Sequence, residues 1–292
     1  MPCMTSLRES TTGINGTKNE MIRAWLELNT FGIFATLAVL YYGAALLLVY
    51  LGFSSPLRRP IQKTNGIVAP FFSSVAILFG LLTGFLASDV GERGRHAVRA
   101  TQAEASEIRN VYALSVASAS DMTDIRTALK VYVNSVLADE WPAMINSAPS
   151  PRTEAAYDGV LREVSDPGIA RESGAPVQAA LLSAAIRAGT ARSERLSIAA
   201  DQTNDLKWVS VLILGLLTQV GLALVHLDRP RAMLTALVVF GSAAIVALGM
   251  IGLQEHPYEG AFKVSTTPLE HLLTLPDLGP ASALPPAPKP EN

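Results

Sequence analysis

The 292-residue chain holds one cysteine, Cys3, so an internal disulfide and any multi-cysteine zinc or iron–sulfur site are excluded. Charge is scarce: 16% of the residues are Asp, Glu, Lys or Arg, against about 25% in an ordinary soluble domain. With 23 Lys plus Arg against 25 Asp plus Glu the formal net charge is −2, which provides no basic field for nucleic acid. The histidines His96, His226, His256 and His271 are scattered and show no HExxH or comparable metal spacing. Neither GxGxxG, nor a Walker-type GxxxxGK, nor GxSxG occurs, so no phosphate cradle or nucleophile elbow is visible. The chain reads as a non-enzyme with no metal and no cofactor.

What the sequence has in abundance is apolar length. Half of it is hydrophobic (49%) and mean hydropathy is +0.31. Residues 31–53, 67–88, 208–225 and 232–254 contain no Asp, Glu, Lys or Arg. A helix needs about 20 apolar residues to cross roughly 30 Å of hydrocarbon, so each run is a membrane span or nearly one. The expected class is all-α: a four-span helical membrane protein with a helical extramembrane domain between spans 2 and 3. The first run starts after a polar leader and is not followed by a small-residue cleavage site, so it reads as a span rather than a signal peptide.

Residues 1–20 are polar and aperiodic and read as a disordered leader, with Met21 as an alternative start. Residues 21–88 form a transmembrane hairpin turned by Pro56, Arg58, Arg59 and Pro60. Pro70 stands near the start of the second span, where it is either tolerated in a first turn or kinks the helix. Residues 89–207 form the helical soluble domain. No Gly or Pro interrupts Arg95 to Ala119, so span 2 is expected to run on into water as one helix whose stripe is Val98, Ala105, Ile108 and Tyr112. A second helix is expected from an Asp121 cap to Trp141-Pro142, and a third from Pro176, with Val177, Leu181, Ala185 and Ile186 on its stripe, running into span 3. Residues 208–254 form a second hairpin around the short loop 226–231, residues 255–278 are membrane-proximal, and 279–292 form a disordered Pro-rich tail.

No span carries a charged residue or histidine at its middle, which disfavours proton coupling. Thr36, Thr83, Thr218, Gln219 and Ser242 read as interhelical hydrogen-bonders, while Gly80 and Gly84 permit close helix approach. The pairs Glu104 with Glu107, Asp121 with Asp124, and Asp139 with Glu140 read as solvated helix surface, in contact with arginines of a neighbouring helix or chain, rather than as an ion site. A passive pore needs an apolar constriction and charged mouths. Span 2 offers Phe71, Val75 and Phe79 at i, i+4 and i+8, with Phe72 beside them, as gate candidates, and Arg93, Arg95 and Arg99 as a charge ring. The same residues also fit lipid-facing aromatics with snorkelling arginines.

Four strings together carry a family likeness: TNGIVAPFFSSVAILFGLLTGF (64–85), EASEIRNVY (104–112), LADEWPAM (137–144) and HPYEGAFKVSTTPLEHLL (256–273). They resemble the bacterial bestrophin-like membrane proteins of unknown function. The most specific pieces are Glu140-Trp141-Pro142 and Pro257-Tyr258-Glu259-Gly260, although the family more often shows an Asp-Arg-Pro-Phe-Ser-Gly string at the latter place. The resemblance implies a four-span subunit distantly related to pentameric bestrophin ion channels, whose pore neck is lined by apolar residues of the second span.

The leading expectation is therefore a homo-oligomeric ion channel, anion-selective, with span 2 lining the pore and small inorganic ions and the lipid bilayer as its partners. The rival is a membrane-anchored interaction or sensor protein acting through residues 89–207. The expected location is the cell membrane, the inner membrane of a bacterium, with a multi-pass topology that puts the central domain and both termini in the cytoplasm. Loop arginines Arg58, Arg59, Arg229 and Arg231 pull the other way.

Overall fold

The computed structural model describes residues 22, 24–26, 28–54, 69–118, 120–144, 149–201, 205–260 and 262–278. The expected leader, Met21, Cys3, the loop holding Arg58 and Arg59, and the Pro-rich tail lie outside them. All regular structure among the described residues is helical. Four helices are long and apolar enough to cross a membrane. In chain order the elements are α1 (Thr30–Phe53), α2 (Ala69–Ala117), α3 (Thr123–Ser135), a π-helical turn (Val136–Glu140), α4 (Trp141–Ala143), α5 (Pro151–Val164), α6 (Pro167–Glu172), α7 (Ala175–Ala200), α8 (Asp205–Val225), α9 (Pro230–Gly252) and α10 (Thr267–Glu270), which passes into a 3₁₀ turn (His271–Thr274). They form two compact units, each with its own core.

The first unit contains α1, α2 through Glu92, α8 and α9. Asn29 starts α1, its side-chain oxygen accepting the Gly32 N–H at 2.8 Å and so satisfying one of the orphan donors of a helix N-terminus. Pro70 is the second residue of α2, where its missing N–H costs nothing, and the helix continues past it. Between spans the hydrophobic effect supplies no drive, because lipid tails are as apolar as leucine, so close packing and interhelical hydrogen bonds hold the helices together. Glycines provide the approach: a Cβ on Gly215 of α8 would collide with the Tyr41 hydroxyl and meet the Phe79 ring at 3.1 Å, and one on Gly249 of α9 would run into Phe34. Gln219 of α8, fully buried, donates from Nε2 to the Tyr41 carbonyl at 3.0 Å, and Tyr42 pairs with Ser242 at 2.9 Å. Thr36 and Thr218 donate instead to carbonyls one turn back on their own helices, while Ser242 donates to the Val238 carbonyl as well as meeting Tyr42.

The second unit contains α2 from Arg93, then α3 to α7, and α10 with its 3₁₀ turn. Ile125, Leu129, Tyr132, Val133 and Val136 recur at helical spacing on α3 and the turn after it, so one face can be buried. They pack with Val160 and Val164 of α5, Leu181, Ala185 and Ala188 of α7, and Ile108 and Val111 of α2. The cap of α3 is displaced by one residue from expectation: Met122 occupies the cap position, and Asp121 Oδ1 accepts from the Thr123 N–H at 3.0 Å and its hydroxyl at 2.6 Å.

Two further expectations are corrected. Val98 and Ile186 are exposed, because the buried seam of α2 runs through Ala97, Ala100, Glu104, Ala105 and Ile108, and that of α7 through Leu181, Ala184, Ala185 and Ala188. The helix from Pro176 does not run into span 3: α7 ends at Ala200, Asp201 adopts an extended backbone, and α8 starts afresh at Asp205. Span 2, by contrast, does run on, since α2 is one unbroken helix of 49 residues.

Candidate functional site

Two features of the fold are candidates for function: a buried ion cluster in the second unit, and a long exposed face on α2.

The cluster is built from three helices. Glu104 projects from α2, Glu140 closes the π-helical turn, and Arg192 and Arg195 stand one turn apart on α7. Arg195 is wholly buried; its Nε donates to Glu104 Oε2 at 2.6 Å and its Nη2 to Glu140 Oε1 at 2.6 Å. Arg192 donates from Nε and Nη2 to Glu140 Oε2, at 3.0 and 2.5 Å. Tyr132 adds a hydroxyl donor to Glu104 Oε1 at 2.7 Å. Two carboxylates and two guanidiniums thus balance, which is the condition for keeping charge in a low-dielectric interior.

The proton affinities follow from this packing. Burial pulls the Arg195 pKa down, but attraction to Glu104 and Glu140 outweighs it and raises the pKa above the ordinary arginine value. Burial, reinforced by the Glu104 charge and hydrogen bond, pushes the Tyr132 phenol well up. At the rim, the Arg187 hydrogen bonds hold Glu107 below the usual carboxylate range. Each carboxylate of the cluster is held by a guanidinium and each guanidinium by a carboxylate, which is the arrangement of a structural lock between three helices.

The two most specific sequence pieces meet at this lock. Trp141 lies under the Arg195 guanidinium, 5.4 Å from its carbon to the ring centroid, and packs edge-to-face on Tyr258. Burial pushes the Tyr258 phenol up to about 12. The reading of Glu104 and Glu140 as solvated surface is therefore corrected: both are fully buried, because α7 brings paired arginines to them. Glu107 keeps to expectation, half-exposed against Arg187.

On α2, Ser74, Leu78, Leu81, Phe85, Ser88, Glu92, Arg95, Arg99, Gln102, Ser106 and Arg109 are all exposed and recur at alternating spacings of three and four. That period keeps them on one helix face. The membrane part of this face is apolar or hydroxylic and the part beyond Ser88 is polar and mainly basic. Of the four expected gate residues, Phe72 is half-buried beside Gly221 and Val75 is half-buried. Phe79 is turned into the first unit, its ring 5.5 Å from that of Phe240 on α9 and against Gly215. Phe71 lies on α2, its side chain outside the described set. Arg95 and Arg99 stand on the exposed face, whereas Arg93 is half-buried. Sequence reasoning names neither Leu81 nor Phe85 for this face, nor Tyr41 as the partner of Gln219; in a run apolar on every side, no period marks which side is free.

Among the described residues, no group of His, Cys, Asp and Glu is arranged to hold a metal ion.

Comparison with known proteins identifies the family. The bestrophin-like domain matches residues 39–269, most of the chain, and the chain belongs to that family. No curated protein matches. Among solved structures, a bacterial bestrophin homologue from Klebsiella pneumoniae superposes with a TM-score of 0.59 at 13% identity, covering 82% of this chain and 97% of its own. A point variant of that homologue gives 0.61 at 14% identity over 85% and 98%. A point variant of a membrane protein, known from its crystal structure, gives 0.62 at 14% over 85% and 99%. The fold is thus bestrophin-like, and the chain is a multi-pass membrane protein.

Proposed function

We propose that this bestrophin-like protein is the subunit of a homo-oligomeric anion channel in which α2 lines the pore. The observation that carries the reading is the single exposed face of α2. Within the bilayer it offers no charge, so a ring of such faces around an axis forms an apolar neck that gates by dewetting; beyond the bilayer it offers Arg95, Arg99 and Arg109 against Glu92, a surplus of positive charge that attracts anions. The gate assignment moves along the helix: Leu81 and Phe85 stand on this face, with Phe72 and Val75 at its margin, and Phe79 serves as packing. In this reading the second unit is cytoplasmic, and the Glu104–Arg195–Glu140–Arg192 lock keeps α2 straight where it leaves the bilayer.

Two measurements test it. The mass of the detergent-purified complex should correspond to a closed ring of subunits; a monomer would favour a membrane anchor acting through the second unit. Planar-bilayer recording should show anion-selective current, and Phe85→Ala should raise conductance by widening the neck. Silence of a correctly folded ring would overturn the channel reading.

A further inference from the structure

A groove of about 400 Å³ opens in the second unit between the water-side face of α2 and the 3₁₀ turn after α10. Gln102, Ser106 and Arg109 form one wall, spaced at i, i+4 and i+7; His271 and Thr274 stand on the other, and the half-buried Pro268 and Leu275 supply apolar surface. The lining holds a guanidinium, an imidazole, an amide and two hydroxyls, and no carboxylate. The acids nearest in sequence are committed elsewhere: Glu107 to Arg187, Asp277 to Arg126, and Glu270 as acceptor from the Thr266 hydroxyl. Arg109 makes no ion pair among the described residues. The groove is therefore a cationic, donor-rich surface with an apolar side.

We infer that this groove binds a phosphomonoester, with the phosphate on the Arg109 and His271 side and an apolar body against Pro268 and Leu275. A phosphate offers three terminal oxygens to donors standing on two walls, which a halide cannot do, and the planar arginine fork matches two of those oxygens. The proline and leucine surface gives an organic ester an advantage over inorganic phosphate. The same chemistry occurs in a soluble phosphate ester and in the headgroup of phosphatidic acid. The inference needs no conduction, so it stands or falls separately from the channel.

The test uses the full chain in detergent and in nanodiscs. Titration with phenyl phosphate, followed by calorimetry, should saturate, bind more tightly than inorganic phosphate and ignore chloride. Arg109→Gln should weaken binding about tenfold or more, the loss expected for a charge-assisted bidentate contact, and His271→Gln should weaken it less. Both residues are exposed, so each variant should keep the wild-type melting temperature, and Arg109→Lys provides a second probe that retains charge but not the fork. If phenyl phosphate fails to bind while native mass spectrometry shows phosphatidic acid, but not phosphatidylcholine, retained in an Arg109-dependent way, the source is the lipid and the inference holds. It is overturned if neither ligand binds, or if binding is indifferent to Arg109→Gln.

Discussion

Trp141 and Tyr258 stand edge to face, their ring centroids 5.6 Å apart and their planes at 90°. One comes from the segment between α3 and α5, the other from the chain beyond α9, so their contact ties the membrane-proximal segment to the second unit's ion cluster. Edge-to-face pairs contribute about 0.5–1.5 kcal/mol beyond their burial. A double-mutant cycle of Trp141→Ala and Tyr258→Ala in denaturant unfolding should return a coupling in that range. Additive losses would show that the rings merely lie side by side.

The ion cluster should be intolerant of single neutralisation. Glu104→Gln leaves Arg195 with half its countercharge in a fully buried site, and losses of about 3–5 kcal/mol are typical when one partner of a buried pair is removed. Removing both partners, as Glu104→Leu with Arg195→Met, leaves Glu140 still held by Arg192 and should recover part of that loss. The melting temperatures of Glu104→Gln, of the double variant and of its two singles, Glu104→Leu and Arg195→Met, check this, and a double variant worse than the sum of its singles would contradict it.

Gly215→Ala should be costly, because the new methyl would strike the Tyr41 hydroxyl. Overpacking of this kind costs about 1–3 kcal/mol. Tyr41→Phe removes the colliding oxygen and should restore most of the loss in the double variant, read as detergent melting temperature.

Phe79→Ala should create a packing defect and not a wider pore. The ring is buried against Phe240 and Gly215, and truncating a buried phenylalanine costs about 3–5 kcal/mol. Conductance per folded complex should stay at the wild-type level. A rise would place Phe79 on the conduction path.

The Glu107–Arg187 pair gives a pH test. Arginine's hydrogen bonds depress the carboxyl's pKa in the folded protein, so the pair stabilises above the unfolded carboxylate value of about 4.3 and that stabilisation is lost as pH falls through the lower folded value. The melting temperature of Glu107→Gln should lie slightly below wild type at about pH 6 and converge with it in acid, once the pH is below the depressed folded value. A gap that persisted in acid would assign the effect to shape instead of charge.

Much of the fold is legible in the sequence because its signals are local. Four uncharged runs announce four spans, and the absence of Gly and Pro from Arg95 to Ala119 announces an unbroken α2. The end of α7 at Ala200 has no Gly or Pro beside it, so the strongest stop signals are missing there. The ion cluster depends on meetings between residues 91 and 52 positions apart, which no helical period encodes, so Glu104 and Glu140 look like ordinary surface acids. The direction Phe79 takes is hidden for the opposite reason: every neighbour in the run is apolar, and only the glycine at Gly215 and the ring of Phe240 decide which way it turns.

The π-helical turn at Val136–Glu140 makes this segment sensitive to its own residue count. A π turn holds one residue more than an α turn of the same height. Each residue of an α-helix advances the face by about 100°. Loss of one residue before Glu140 would therefore turn the segment into plain α-helix and leave Glu140 and Trp141 on nearly the same face, whereas gain of one residue, which the turn has no further room to absorb, would advance them by about 100° and unseat a carboxylate from two arginines and an indole from Tyr258. Relatives that keep the Glu-Trp-Pro lock should lack a residue here more readily than carry an extra one.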